Sequence, residues 1–197
     1  MIEYFSNWWC WLYWKMGSSS TIKGRSPSWV LDDLSNGRKE NLKEFESNHH
    51  FNGLTYGDIK DIPLLEKLFE NSFDICYHLA ASINVQDSID EPSTTFANDV
   101  VGTFNILEQC KKNQTKVIFM STCMVYDKAM DDSGIKETNQ VKPASPPYAG
   151  AKLAAENMVL SYYYAYGLPV TVIRPFNTYG PPFQKTGGEK AELLLFF

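Results

Sequence analysis

The sequence predicts an α/β fold with a doubly wound parallel sheet, and three observations carry that expectation. Short β-rich runs alternate with helical patterns from about Val30 to Pro182, as parallel strands joined by crossover helices require. Polar residues gather where the β-rich runs end, at the edge where an open parallel sheet holds its ligands. No internal repeat or low-complexity tract interrupts the pattern.

The elements follow in order. Trp29-Val30-Leu31 closes a strand on Asp32-Asp33, and before Val30 the alternation is lost. Leu54-Thr55-Tyr56 is a short strand running into Gly57-Asp58-Ile59. Asp61-Ile62-Pro63 opens a helix, with Pro63 in the first turn where its missing N–H costs little. Phe73 to Ala81 is an apolar run of strand length, suited to burial on both faces and ending in small residues. Val100, Phe104 and Leu107 recur at helical spacing, and Lys111-Lys112 suit that helix's C-terminus. Val117 to Met120 is a strand running into Ser121-Thr122. Tyr148 to Tyr166 reads as a long helix stopped by Gly167 and Pro169, and Val170 to Ile173 as the next strand.

Composition excludes several roles. A net charge of −5 and a pI near 5.2 disfavour nucleic acid or an anionic membrane as the main partner. Cys10, Cys76, Cys110 and Cys123 are scattered without metal-ligand spacing, so ordinary thiols are expected and no metal site. With no signal peptide or long apolar run, the expected home is the cytoplasm. His49, His50 and His78 are isolated and read as surface or packing residues.

Chemistry is concentrated at the strand ends. Tyr148 and Lys152 stand four apart on one helix and share a face. A phenol titrates near pH 10, but an adjacent ammonium favours the phenolate and brings it toward acid–base work at neutral pH. Alone, the pair also fits an exposed aromatic beside a solvated lysine. Thr122 ends a strand 26 residues before Tyr148, placed to bond the same substrate oxygen. Asp32 ends the first legible strand, where a turn former or helix cap competes with a ribose-binding role.

The motifs H-L-A-A (78–81), S-T-x-x-V-Y (121–126), Y-x-x-x-K (148–152) and R-P-F-N-x-Y-G-P (174–181) occur in this order. Together they resemble the nucleotide-sugar epimerase/dehydratase branch of the extended short-chain dehydrogenases, over roughly three-quarters of the chain. The resemblance implies a Rossmann-type domain, NAD as cofactor and a nucleotide-diphosphate sugar as substrate. By the same resemblance Tyr148 is the catalytic acid–base, Lys152 its tuner and a nicotinamide-ribose ligand, and Thr122 the third catalytic hydroxyl. Asp32 holds the adenosine ribose, Asp58 and Ile59 flank the adenine, and Leu79, Ala80 and Ala81 lie under the cofactor. Pro175 and Phe176 line the nicotinamide side, and Asn177 contacts the sugar diphosphate. It further implies a homodimer formed through the Tyr148 helix and its neighbour.

Three departures from the family pattern matter. Dehydratases of the family carry Asp-Glu directly after the threonine; here Cys123-Met124 stand there. That favours 4-epimerisation through a transient 4-keto sugar over dehydration, with a dehydratase, decarboxylase or reductase as the alternatives. Asp99 occupies a position where the family usually has asparagine. Pro146-Pro147 and Pro181-Pro182 each carry one proline more than the family pattern, the first pair beside Tyr148.

The family's phosphate turn, G-x-x-G-x-x-G, is absent, and tryptophan fills positions 8, 9, 11 and 14 instead. Tryptophan's single codon, TGG, read one base later always encodes glycine, so these positions spell G-G-x-G-x-x-G. Permitted codons turn Tyr4 to Ser28 into I-L-V-T-G-G-A-G-Y-I-G-K-W-V-V-V-Q-Q-L-K-E-G-H-Q-V. The tryptophan run is too short to span a bilayer and lacks an amphipathic stripe. The expected organisation is therefore an out-of-frame segment over 1–28 and a partial NAD-binding domain over 29–182. Residues 183–197 are the truncated start of a substrate lobe, whose codons also permit a shifted frame. On this expectation the domain lacks its central first strand, and an inactive fragment is the competing reading of the chain.

Overall fold

The computed structural model describes residues 2–5, 27–82, 84–126, 134–139, 141 and 146–176. Among them six parallel strands form one sheet: β1 (Ile2–Phe5), β2 (Ser28–Asp32), β3 (Phe51–Tyr56), β4 (Ile75–His78), β5 (Lys116–Met120) and β6 (Val170–Ile173), in the order β3-β2-β1-β4-β5-β6. That order reverses direction at β1, as a doubly wound sheet requires. The expectation of a missing central strand is corrected: Ile2–Phe5 pairs with β2 on one side and β4 on the other, Ile2 opposite both Trp29 and Cys76. A short β-branched and aromatic run suffices there, because the pairing satisfies backbone groups that two open strand edges would leave exposed.

The helices are α1 (Ile62–Phe69), α2 (Val85–Asp90), α3 (Pro92–Phe96), α4 (Thr103–Asn113) and α5 (Pro147–Tyr166), with a π-helical turn over Ala97–Gly102 leading into α4. Asp61 caps α1, its carboxylate accepting the Leu64 N–H at 3.1 Å, with Pro63 in the first turn as expected. α5 ends at Gly167 in the left-handed conformation (φ 67°).

Val30 and Leu31 alternate across β2 and seed two separate cores. Leu31 joins Leu65, Ile106, Leu107, Val117, Phe119, Val159 and Leu168 beneath α1, α4 and α5. Val30 joins Leu79, Leu42 and Phe45, the last two on the 3₁₀ helix Lys39–Phe45. Each fully buried large side chain stabilises by about 1.5–3 kcal/mol, so α1, α4 and α5 are anchored chiefly by their aliphatic faces.

Three finer expectations are revised. β4 stops at His78, so Leu79 to Ala81 follow the strand. Cys76 and His78 are buried while Ile75 and Tyr77 are half-buried, so β4 is not dry on both faces. α4 turns Ile106, Leu107 and Cys110 inward, whereas Phe104 is 41% exposed; the π-helical turn rotates the register away from a regular helix through Val100. Cys76 and Cys110 are buried and Cys123 is half-buried, all free; Cys10 lies outside the described residues.

Candidate active site

A cavity of about 260 Å³ opens beyond the carboxyl ends of β2, β3 and β4, with Asp32, Asp58, Ile59, Ala80 and Ala81 among its lining residues. Asp32 is 5% exposed, and its Oδ1 accepts the Leu34 N–H at 2.7 Å. Burial pushes its carboxyl up to about 7, against the Leu34 hydrogen bond and with help from the charge of Asp33. Gly37 packs so closely on this carboxylate that a Cβ there would lie 2.7 Å from Oδ2. Asp33 turns away, accepting the Ser35 N–H at 2.9 Å.

The opposite wall is tied together by polar contacts. Asp58 Oδ2 pairs with Lys60 Nζ at 2.8 Å, and the same ammonium donates to Asn98 Oδ1. Asn98 Nδ2 donates to Ser82 Oγ at 2.7 Å, and the Ser82 N–H donates to Asp99 Oδ1 at 2.6 Å. Gly102 allows the close approach of this turn to the wall, since a Cβ there would meet Ile59 Cδ1 at 2.3 Å.

Tyr148 and Lys152 occupy the first turns of α5, buried at 9% and 2% exposure, which disposes of a solvated surface pair. The extra proline is absorbed: Pro146 is extended ahead of the helix and Pro147 takes its first position, where no N–H is needed. Lys152 Nζ lies 4.6 Å from the centroid of the Phe119 ring. His78 is fully buried, so of the surface and packing roles expected for it the packing one applies, and its Nε2 lies 2.8 Å from Thr103 Oγ1. Burial first, then the Lys152 charge, pushes His78 down to about 3, so it stays neutral.

Thr122 is also buried, and its Oγ1 accepts the Met124 N–H at 3.2 Å, leaving its own proton to donate. The turn that follows hangs from β6: Ser121 N–H donates to Ile173 O at 2.8 Å and Cys123 N–H to Pro175 O at 3.0 Å. Burial raises the Cys123 thiol above its ordinary value, with the Thr122 hydrogen bond opposing.

The structure gathers Asp32, Asp58, Ile59, Ala80 and Ala81 around one cavity, but Leu79, Thr122, Tyr148, Lys152 and Pro175 do not line it. Leu79 packs below it in the smaller core. Asn177 lies outside the described residues, as does the whole tryptophan run. The sequence reading missed Glu156, 1% exposed, which accepts Ser121 Oγ–H at 2.7 Å and pairs with the Arg174 guanidinium. Its signal was present: Glu156 stands one further helical turn beyond Tyr148 and Lys152.

Among the described residues no cluster suited to a metal ion occurs, and no helix is long and apolar enough to cross a membrane. The family model described as GDP-mannose 4,6 dehydratase matches residues 22–191, beginning inside the segment expected to be out of frame. The dTDP-glucose 4,6-dehydratase of Mycobacterium tuberculosis is 34% identical over 155 residues, covering 77% of this chain and 45% of its own. Among solved structures, Pal from Bacillus thuringiensis is 54% identical, with a TM-score of 0.85 over 96% of this chain and 60% of that one. The UDP-glucose 4-epimerase from Brucella ovis in complex with NAD is 28% identical, with a TM-score of 0.74 over 89% of this chain and 51% of that one. The chain spans about a third to a half of the length of the curated relatives it matches.

Proposed function

The chain belongs to the NAD-dependent epimerase/dehydratase family of extended short-chain dehydrogenases, and on that premise we propose that it is the cofactor-binding part of an enzyme that epimerises a nucleotide-diphosphate sugar at C4. The observation that carries the choice of reaction is the pair after Thr122. Cys123 and Met124 replace the acidic pair of the dehydratases, and a half-buried thiol pushed above its ordinary range is a poor proton acceptor at neutral pH.

The residues around the cavity suit NAD. Asp32 offers a buried carboxylate to the two hydroxyls of the adenosine ribose, and those donors would offset its burial. Asp58 and Ile59 flank the adenine, and Ala80 and Ala81 are small enough to let the cofactor lie against them, above Leu79. When bound, NAD supplies the acceptor and donor of hydride.

The chain's own residues handle the proton. Tyr148 takes it from the sugar's C4 hydroxyl and returns it after the 4-keto sugar has presented its other face. Lys152 favours the phenolate and binds the nicotinamide ribose, while Thr122 donates to the same sugar oxygen. Pro175 lines the nicotinamide side and Asn177 contacts the sugar diphosphate. The exposed Val101 and Phe104, with Tyr163, Tyr164 and Tyr166 on α5, suit a homodimer through α4 and α5.

Incubation with NAD and a panel of UDP- and dTDP-sugars, followed by proton NMR, tests the reaction. The expected product is the 4-epimer; a 4-keto-6-deoxy sugar in its place would identify a dehydratase. Epimerases and dehydratases stand at like identity among the relatives, 35% and 34%, so dehydration is the reading this assay has to exclude.

A second reading rests on the missing glycine turn. An out-of-frame 1–28 segment leaves no backbone cradle for the pyrophosphate, so the chain as written is a non-catalytic product. It requires the gene's shifted frame to encode the strand I-L-V-T over positions 4–7 ahead of the glycines, and bases that encode another sequence there refute it.

A further inference from the structure

Asp99 carries a negative charge into a place that needs none for structure. It sits in the π-helical turn Ala97–Gly102 with 1% of its surface exposed. Its Oδ1 accepts the Ser82 N–H at 2.6 Å, and among the described residues no donor reaches Oδ2. An asparagine would accept the Ser82 bond equally well without burying a charge, so the hydrogen bond does not explain the carboxylate.

Charge does explain it. The π-helical turn that carries Asp99 packs against α5, which carries the buried Lys152, and Lys60 stands in the turn after β3; both ammoniums act on the Asp99 carboxyl. Lys60 is at the rim, its side chain 38% exposed and already paired with Asp58, so solvent weakens its pull. Lys152 is buried at 2% exposure, where water screens its charge less than that of Lys60. His78, on β4, faces the same lysine and is kept neutral by burial, so it adds no competing charge. The backbone at Asp99 is pinned as well: the Thr103 hydroxyl donates to the Asp99 carbonyl at 2.5 Å, and His78 Nε2 meets that hydroxyl at 2.8 Å.

We propose that Asp99 is a positioning residue that acts through Lys152: it is the buried counter-charge of that ammonium, and it moderates how strongly the ammonium favours the Tyr148 phenolate. The inference rests on the reading of Tyr148 and Lys152 as the acid–base pair. Through Ser82, which lines the cofactor cavity, it also joins the catalytic lysine to the cavity wall. Burial raises the Asp99 carboxyl to about 6, with Lys152 the largest opposing influence, so the counter-charge is present at neutral pH and fades below it.

The test is a titration that needs no turnover. The Tyr148 phenol is followed by NMR of tyrosine labelled at Cζ, with Tyr148→Phe assigning the signal. In Asp99→Asn, the phenol midpoint is expected to fall by about one pH unit, the low end for loss of a neighbouring charge. The acid limb of kcat/KM should fall with it, converging with the parent near pH 6 and below, where Asp99 is itself protonated. The reciprocal variant, Lys152→Met, should raise the Asp99 midpoint above that of the parent, read at the carboxyl carbon, and it decides the matter if Asp99→Asn does not fold. Midpoints that stay put, or a phenol midpoint that rises in Asp99→Asn, overturn the inference. Shifted midpoints in a chain that converts no nucleotide sugar would leave the inference standing and remove the proposed function.

Discussion

Asp32 shows how one buried carboxylate makes stability depend on pH. Its folded-state carboxyl lies near 7 against an ordinary 3.8, so the folded chain holds this proton more tightly than the unfolded chain. The contribution is fully present below about pH 4, and it is lost as pH rises through 7. Asparagine keeps an acceptor for the Leu34 N–H and cannot ionise. Asp32→Asn should therefore melt above the parent at about pH 8, the gap shrinking as pH falls through 7 and closing near pH 4. A gap that is constant with pH, measured by thermal melts at several pH values, would contradict a raised carboxyl. The same variant should lose NAD affinity at neutral pH, since an amide is a weaker acceptor for the two ribose hydroxyls.

At the scale of elements, Glu156 ties three of them at one point. It stands on α5, takes the hydroxyl of Ser121 at the end of β5 and pairs with Arg174 just past β6. The Arg174 ring contact with Tyr126 at 4.8 Å extends this anchor to the turn after Thr122. Removing one partner of a buried pair costs about 3–5 kcal/mol, because the other charge is left uncompensated. Glu156→Ala should lower stability by about 3 kcal/mol in urea unfolding, and a loss under about 1 kcal/mol would show that the pair is solvent-screened.

Helices with clear punctuation were the most legible elements. Asp61 with Pro63, and Gly167 with Pro169, mark the ends of α1 and α5 by backbone chemistry that acts locally. The π-helical turn was not legible, because nothing in Ala97–Gly102 forbids an ordinary helix; its register follows from packing of Gly102 on Ile59. Asp32, Asp58 and the alanines could be placed at strand ends because a parallel sheet puts its ligand edge there. Glu156 escaped notice because its partners, Ser121 and Arg174, meet it only after the sheet has formed.

For the whole molecule, the two cores on opposite faces of the sheet and the order β3-β2-β1-β4-β5-β6 place the described functional candidates at the carboxyl edge of the strands. Ile2–Phe5 completes the centre of that sheet despite the unusual sequence after it, so the topology does not depend on a glycine turn. On the function proposed above, everything turns on Tyr148 as the group that moves the proton in a nucleotide-sugar reaction. That role is tested by comparing turnover of a nucleotide sugar by Tyr148→Phe with that of the parent, at saturating NAD. A loss of about 10²–10⁴-fold in kcat is expected, with the Kd for NAD unchanged; near-normal turnover by the phenylalanine variant would remove Tyr148 from the proton transfer.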